Sequence, residues 1–271
     1  MSIIESAFLK NQNGSNPELL KESKPSENTK RSNFSAPQAK RLGSVRDDIA
    51  EMTQFKIFSK KELLSKGLIY TKSRDSKLVN EYRNLRTKLL SVSDTKNFIT
   101  LVTSVHSFYD SSTISANMAA TFALDSGKTS LLLNADESSQ KLNEIFEVQP
   151  EFGLVDFISS KNLPVDKIIH ETPIPRLRYI PLGHIEEGYA ELFSDTRMEM
   201  TMQSLISRYP ERYLVINAPS IASSADTRIL LNHCHKVVLV VPYGLCSEED
   251  ISQAVSLVGK EKLAGVILDE F

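Results

Sequence analysis

Apolar residues in this 271-residue chain gather into six runs after a long polar beginning. The runs lie at 98–104 (Phe-Ile-Thr-Leu-Val-Thr-Ser), 129–135 (Thr-Ser-Leu-Leu-Leu-Asn-Ala), 177–182, 212–218 (Arg-Tyr-Leu-Val-Ile-Asn-Ala), 236–242 (Lys-Val-Val-Leu-Val-Val-Pro) and 263–268. Each is continuous in Val, Ile and Leu instead of alternating with polar residues, and helical spacing fills most of the intervals. That combination predicts a parallel sheet with helices on both faces, since only strands buried on both sides can be apolar throughout. Ahead of the runs, Ser59-Lys60-Lys61-Glu62 is a capping box and Gly67 a stop. A second helix, about 76–90, sets Leu78, Tyr82, Leu85 and Leu89 on one face. Ser112 to Leu124, rich in alanine and other small residues, reads as the helix after the first strand.

Residues 11 to about 50 are mostly Ser, Asn, Lys, Glu and Pro. Such a stretch cannot offset its ordering entropy by burial, so a disordered linker is expected. Before it, Ile3, Ile4, Ala7 and Phe8 share one face of a short helix, read either as a fraying end or as a tethered docking helix. The chain is therefore divided into 1–54, a short helix with a linker, and 55–271, an α/β domain. The net charge of −2 gives no cationic excess for non-specific nucleic-acid binding. Two cysteines, Cys234 and Cys246, in so long a chain point to a reducing compartment. The polar first ten residues do not resemble a signal peptide, and no apolar run approaches the roughly 20 residues of a spanning helix. A soluble cytoplasmic protein is expected.

Ligands of such sheets gather at the carboxyl ends of the strands. Here those ends are Ser104, Asn134-Ala135-Asp136 and Asn217-Ala218-Pro219. The turn between the first strand and its helix, Val105-His106-Ser107-Phe108-Tyr109-Asp110-Ser111, has the position of a phosphate cradle. A working cradle uses glycines to bring backbone N–H groups to phosphate and a lysine to neutralise it. This one has neither, and it adds the carboxylate of Asp110. No shift of the alignment supplies a cation, because residues 97–127 contain no Lys or Arg. His233-Cys234-His235 matches no usual zinc spacing, so no metal is expected there, and Cys234 reads as core.

The order of these landmarks resembles the bacterial tyrosine autokinases of capsule and exopolysaccharide synthesis, relatives of the deviant-P-loop partitioning ATPases. Over roughly residues 55–271 the resemblance rests on Tyr82-Arg83-Asn84-Leu85-Arg86-Thr87, Val102-Thr103-Ser104, Ser112-Thr113 followed by Ala116-Asn117-Met118-Ala119, and Ser126-Gly127-Lys128 leading into Leu131-Leu132-Leu133-Asn134-Ala135-Asp136. Gly153-Leu154-Val155-Asp156, Pro181-Leu182-Gly183, Glu191-Leu192-Phe193-Ser194, Val215-Ile216-Asn217-Ala218-Pro219 and Leu263-Ala264-Gly265-Val266-Ile267-Leu268 follow in the family's order. Met1-Ser2-Ile3-Ile4-Glu5 and Leu64-Ser65-Lys66-Gly67-Leu68-Ile69 resemble its exosortase-associated branch. The resemblance implies a P-loop NTPase-like fold of the deviant Walker subgroup.

Against that pattern the chemical groups are altered. The phosphate-binding lysine of the Walker A loop falls at Ser111, and the aspartates of the second and third motifs fall at Asn134 and Asn217. Asp136 is retained. Mg²⁺ needs hard anionic oxygen, which asparagine lacks, and one lost electrostatic group commonly costs about 10²–10³ in rate. The eight tyrosines are scattered, and no counterpart of the tyrosine-rich tail of active members is expected. The expectation is a pseudokinase with no catalytic residues, cofactor or metal. It would serve as a cytoplasmic scaffold or regulator of polysaccharide synthesis and export, held peripherally at the inner membrane by a co-polymerase (chain-length regulator) or beside an active kinase paralogue. The alternative is a residual ATP-binding tyrosine autokinase using Ser112, Thr113 and the helix N-terminus. The family's ring-forming Glu-x-x-Arg-x-x-Arg helix keeps Arg83 and Arg86 here but has Asn80 at its glutamate position, with Glu81 one residue on; it implies homo-oligomerisation through Glu81, Arg83 and Arg86, against the simpler reading of a solvated charged face.

Overall fold

A computed structural model describes residues 56–69, 77–93, 97–160, 162–184 and 189–270. The expected N-terminal helix and linker lie outside the described residues. Helix α1 (Lys60–Ser65) opens on the capping box: Glu62 N–H donates to Ser59 Oγ at 3.3 Å, and Ser59 N–H to Glu62 Oε2 at 2.8 Å. Gly67, at φ +68°, ends the turn that follows. Helix α2 (Lys77–Ser91) leads into strand β1 (Ile99–Ser104), helix α3 (Ser112–Ala123), β2 (Thr129–Asn134), α4 (Lys141–Phe146) and α5 (Leu154–Ser159). Then come β3 (His170–Glu171), β4 (Leu177–Ile180), α6 (Thr196–Ser207), β5 (Arg212–Asn217), α7 (Ala225–Leu230), β6 (Lys236–Pro242), α8 (Glu248–Val258) and β7 (Leu263–Asp269).

The seven strands form one sheet in the order β3-β4-β2-β5-β1-β6-β7. Every pairing is parallel except that of β3 with β4. The pleat divides the apolar runs cleanly. Ile99, Leu101, Leu131, Leu133, Leu214, Ile216, Val237 and Leu239 face one core, while Val102, Leu132, Tyr213, Val215, Val238 and Val240 face the other. The first core is closed by α5, α6, α7 and α8, the second by α2, α3 and α4. Burial on both faces explains why the runs do not alternate in sequence.

Helix α3 is buried along almost its whole length. Its small residues Ala116, Ala119 and Ala120 let it lie close to the sheet while α2 covers its outer side. On α2 the buried stripe is Val79, Tyr82 and Leu89. Leu78, expected on that face, is 54% exposed. It stands at the rim of a groove between α2 and β7, because Val79 one residue on is rotated onto the core. The two-residue strand β3 was not expected, being too short for a periodic signal.

Candidate functional site

The register of β2 on β5 makes Asn134 and Asn217 direct neighbours at the last pair of the ladder. Both are buried, as is Asp136 two residues beyond. Asn217 Nδ2 donates to Asn134 Oδ1 at 3.0 Å, so one amide supplies the donor and the other the acceptor. Two carboxylates there would repel one another unless a cation lay between them. Two amides bond directly. The rest of the pair is also engaged. Asn217 Oδ1 accepts from Ser115 Oγ at 2.7 Å and Ser111 Oγ at 3.3 Å, and Asn217 Nδ2 reaches Ser112 Oγ at 3.3 Å. Asn134 Oδ1 accepts from Asp136 N–H and its Nδ2 donates to the Asp136 carbonyl, each at 3.2 Å.

The loop after β1 turns its own anion onto α3. Asp110 Oδ1 accepts the Ser112 N–H at 2.8 Å, and Asp110 Oδ2 accepts Ser139 Oγ at 2.8 Å. A carboxylate at a helix N-terminus satisfies an orphan N–H and complements the helix dipole, which is what a phosphate does in a working cradle. Ser112 thus has its N–H on Asp110 and its hydroxyl within the serine–asparagine network, where it also meets Ser139 Oγ at 3.3 Å. The Thr113 methyl lies against Gly67. Ser111, where the family's lysine falls, is buried and points its hydroxyl at Asn217.

Asp136 Oδ1 accepts from Ser138 N–H at 2.9 Å and Ser138 Oγ at 2.6 Å. Burial, with the nearby charges of Asp110 and Glu137, pushes its carboxyl above the ordinary range, while the Ser138 bonds pull the other way. Ser115 and Ser139 complete the network and were not singled out in the sequence. Ser115 carried a readable signal, since it follows Ser111 and Ser112 at one helical turn. Ser139 carried none, being joined only by the fold. A second tie sits at the end of β4. Asp156 caps Gly153 N–H at 2.7 Å and bonds His184 Nδ1 at 2.9 Å, across the close approach of Gly153 and Gly183 (φ +94°).

The charged helix face is divided by the structure. Arg86 turns inward and donates from Nη1 to the Thr121 carbonyl at 2.9 Å, near the end of α3. Glu81 is exposed in the groove of about 850 Å³ between α2 and β7, and Arg83 is half-buried. His233, Cys234 and His235 go to separate backbone partners. His233 Nε2 meets Phe193 O at 2.7 Å, Cys234 Sγ meets Leu231 O at 3.3 Å, and His235 Nδ1 accepts Ile99 N–H at 3.1 Å.

Among the described residues, the turns leaving the carboxyl ends of the six parallel strands hold no Lys or Arg: 105–111, 135–140, 181–184, 218–224, 243–247 and 269–270. Three of them carry carboxylates instead (Asp110, Asp136 with Glu137, and Asp269 with Glu270), and α7 and α8 begin with more. A triphosphate would meet no cation at these turns.

No family model matches the chain. Its homologues are bacterial tyrosine kinases. It is 26% identical over 206 residues to the tyrosine-protein kinase CpsD of Streptococcus agalactiae, which covers 75% of this chain and 87% of that protein. It is 25% identical over 215 residues to CapB of Staphylococcus aureus, described as a putative tyrosine-protein kinase, covering 78% of this chain and 92% of that one. The kinase domain of the Escherichia coli tyrosine kinase ETK superposes with a TM-score of 0.65 at 22% identity, over 79% of this chain and 87% of that one. The fold is accordingly that of the P-loop NTPases, as expected from the order of the landmarks. No helix among the described residues is long and apolar enough to cross a membrane.

Proposed function

We propose that this chain is a catalytically silent relative of the tyrosine autokinases of capsule and exopolysaccharide synthesis, acting by contact with other proteins as a scaffold or regulator of that machinery. One observation carries the reading: Asn217 Nδ2 donates to Asn134 Oδ1 where two metal-binding carboxylates are expected. Phosphoryl transfer relies on lysine and Mg²⁺ to position and neutralise the phosphates. The local residues offer no Lys or Arg, amides replace carboxylates at the two motif positions, and Asp110 holds the N–H of Ser112. The partner reading rests on relatedness to the kinases and on no site in this chain. It names a membrane co-polymerase or an active kinase paralogue, with the chain cytoplasmic and peripheral to the inner membrane.

The relatives are themselves called kinases, which supports a second reading as a residual autokinase. Incubation with radiolabelled ATP and Mg²⁺ separates the two. The silent relative incorporates no label on tyrosine, whereas time-dependent label would establish the autokinase. For the scaffold role, affinity capture from the native host is expected to return envelope polysaccharide components. Their absence would remove it.

A further inference from the structure

The same end of the molecule is both acidic and tipped with apolar side chains. Phe108, at the crest of the loop after β1, is 94% exposed, and Tyr243 and Leu245 in the turn after β6 are 62% and 48% exposed. These belong to one ledge. Val105 N–H donates to Val240 O at 2.9 Å, Tyr243 N–H donates to Asp269 O at 2.7 Å, and the Tyr109 hydroxyl bonds the Asp269 carboxylate. Around the ledge stand the exposed carboxylates Glu248, Glu249 and Asp250 in the first turn of α8, and Glu270 after β7. None of the four has an ion-pair partner among the described residues. Asp250 closes the α8 capping box with Ser247. Asp250 thus acts as a cap and Glu248 and Glu249 complement the α8 dipole, yet these two and Glu270 keep their carboxylates in solvent. A large aromatic ring held fully in solvent beside unpaired charge marks an interaction surface.

The chain carries its own complement. Residues 30–46, outside the described residues, hold Lys30, Arg31, Lys40, Arg41 and Arg46 and no carboxylate, in a protein whose net charge is −2. Between the cations lie Phe34, Leu42 and Val45. We propose that residues 30–46 dock on the acidic ledge formed by the Phe108 loop, the Tyr243–Asp250 turn and Glu270. The inference rests on the reading that no nucleotide sits there.

The tether allows it. Arg46 lies ten residues before Lys56 and Lys30 twenty-six, so the two reach at most about 34 Å and about 90 Å from the start of the described domain. A domain of this size has a radius of gyration of roughly 17 Å. Exposed ion pairs are individually weak. Tethering raises the effective concentration to the millimolar range, where a few weak contacts suffice. The same geometry permits exchange between two copies.

The test is zero-length carbodiimide coupling of the full chain, read by peptide mass spectrometry. The expected products join Lys30 or Lys40 to Glu248, Glu249, Asp250 or Glu270. They should fall by about tenfold in Glu248→Gln/Glu249→Gln, whose exposed positions leave the core untouched, and similarly at about 0.5 M salt. A mixture of isotopically light and heavy chains distinguishes docking on the same chain from docking on a neighbour. Equal coupling of Lys30 and Lys40 to Glu211 and Glu261, at the opposite end of the sheet, would overturn the proposal. So would a ledge that stays unlinked while vesicles rich in anionic lipid protect the two lysines. ATP titration of the same samples separates the claims. Persistent coupling with tight ATP binding ends the nucleotide-free reading alone, and lost coupling without ATP binding ends the docking alone.

Discussion

The two ends of the sheet carry opposite charge and use it differently. At the amino ends three cations are spent on backbone carbonyls. Arg176 donates from Nε and Nη2 to Ala123 O at 3.0 and 2.7 Å, at the last residue of α3. Lys262 donates to Leu231 O beyond α7, and Lys236 to Glu261 O at 3.2 Å. At the carboxyl ends, acids stand at helix starts: Asp110 before α3, Asp226 in α7, and Glu248, Glu249 and Asp250 in α8. Both ends thus follow the helix dipole, anions at N-termini and cations at C-termini. A phosphate site has to break that rule by placing a lysine at a helix start. In this chain the carboxyl end has the arrangement that favours the fold, and the two motif positions, still adjacent through the register of β2 on β5, are joined by a hydrogen bond between their side-chain amides.

The sharpest way to break the comparison is to return charge to the carboxyl end. Asn134→Asp/Asn217→Asp places two buried carboxylates side by side with no cation, and is expected to cost about 3–5 kcal/mol at pH 7. At least one carboxyl must then titrate above its unfolded value, so the folded state holds a proton that the unfolded state has released. Stability accordingly falls as pH rises through that range and recovers in part on acidification. Urea denaturation at pH 7 and pH 5 measures both, and an unchanged midpoint would show that the site does not depend on being neutral.

At the other end, Arg176→Ala removes both donors from the end of α3 and should cost about 1–3 kcal/mol by the same measurement. Arg176 also holds φ +64°, so Arg176→Gly is expected to lose less by roughly 1 kcal/mol. Asp110→Ala should cost about 1 kcal/mol, as for other lost caps, and Asp110→Asn less, because its carbonyl can still accept the Ser112 N–H. The smallest effect belongs to Asp136. Burial raises its folded pKa, so its contribution to stability is present at low pH and is lost as pH rises through the folded value. Asp136→Asn should therefore gain on the parent protein between pH 4 and pH 7 in paired denaturation curves. A constant difference would mean that the carboxyl is not perturbed.

The six parallel strands were legible because each is built around Val, Ile and Leu on both faces, and the structure ends them within two residues of the runs. The capping box at Ser59 and Glu62 was legible because it is local. So was the loss of lysine, since no cation occurs anywhere in residues 97–127. The pairing of Asn134 with Asn217 was not, because it is fixed by strand order across a sequence separation of 83. Nor was the role of Asp110, which in sequence is only a carboxylate in the wrong place and in the structure is a cap on α3 tied to Ser139. Leu78 misled because helical spacing alone does not say which edge of a stripe meets the core, and the groove beside β7 leaves it exposed.

Calorimetric titration of the full chain with ATP, with and without Mg²⁺, tests the central claim most directly. A carboxyl end built from paired amides, a self-capped helix and unpaired acids predicts no complex tighter than about 1 mM in either condition. A micromolar complex that requires Mg²⁺ would contradict it.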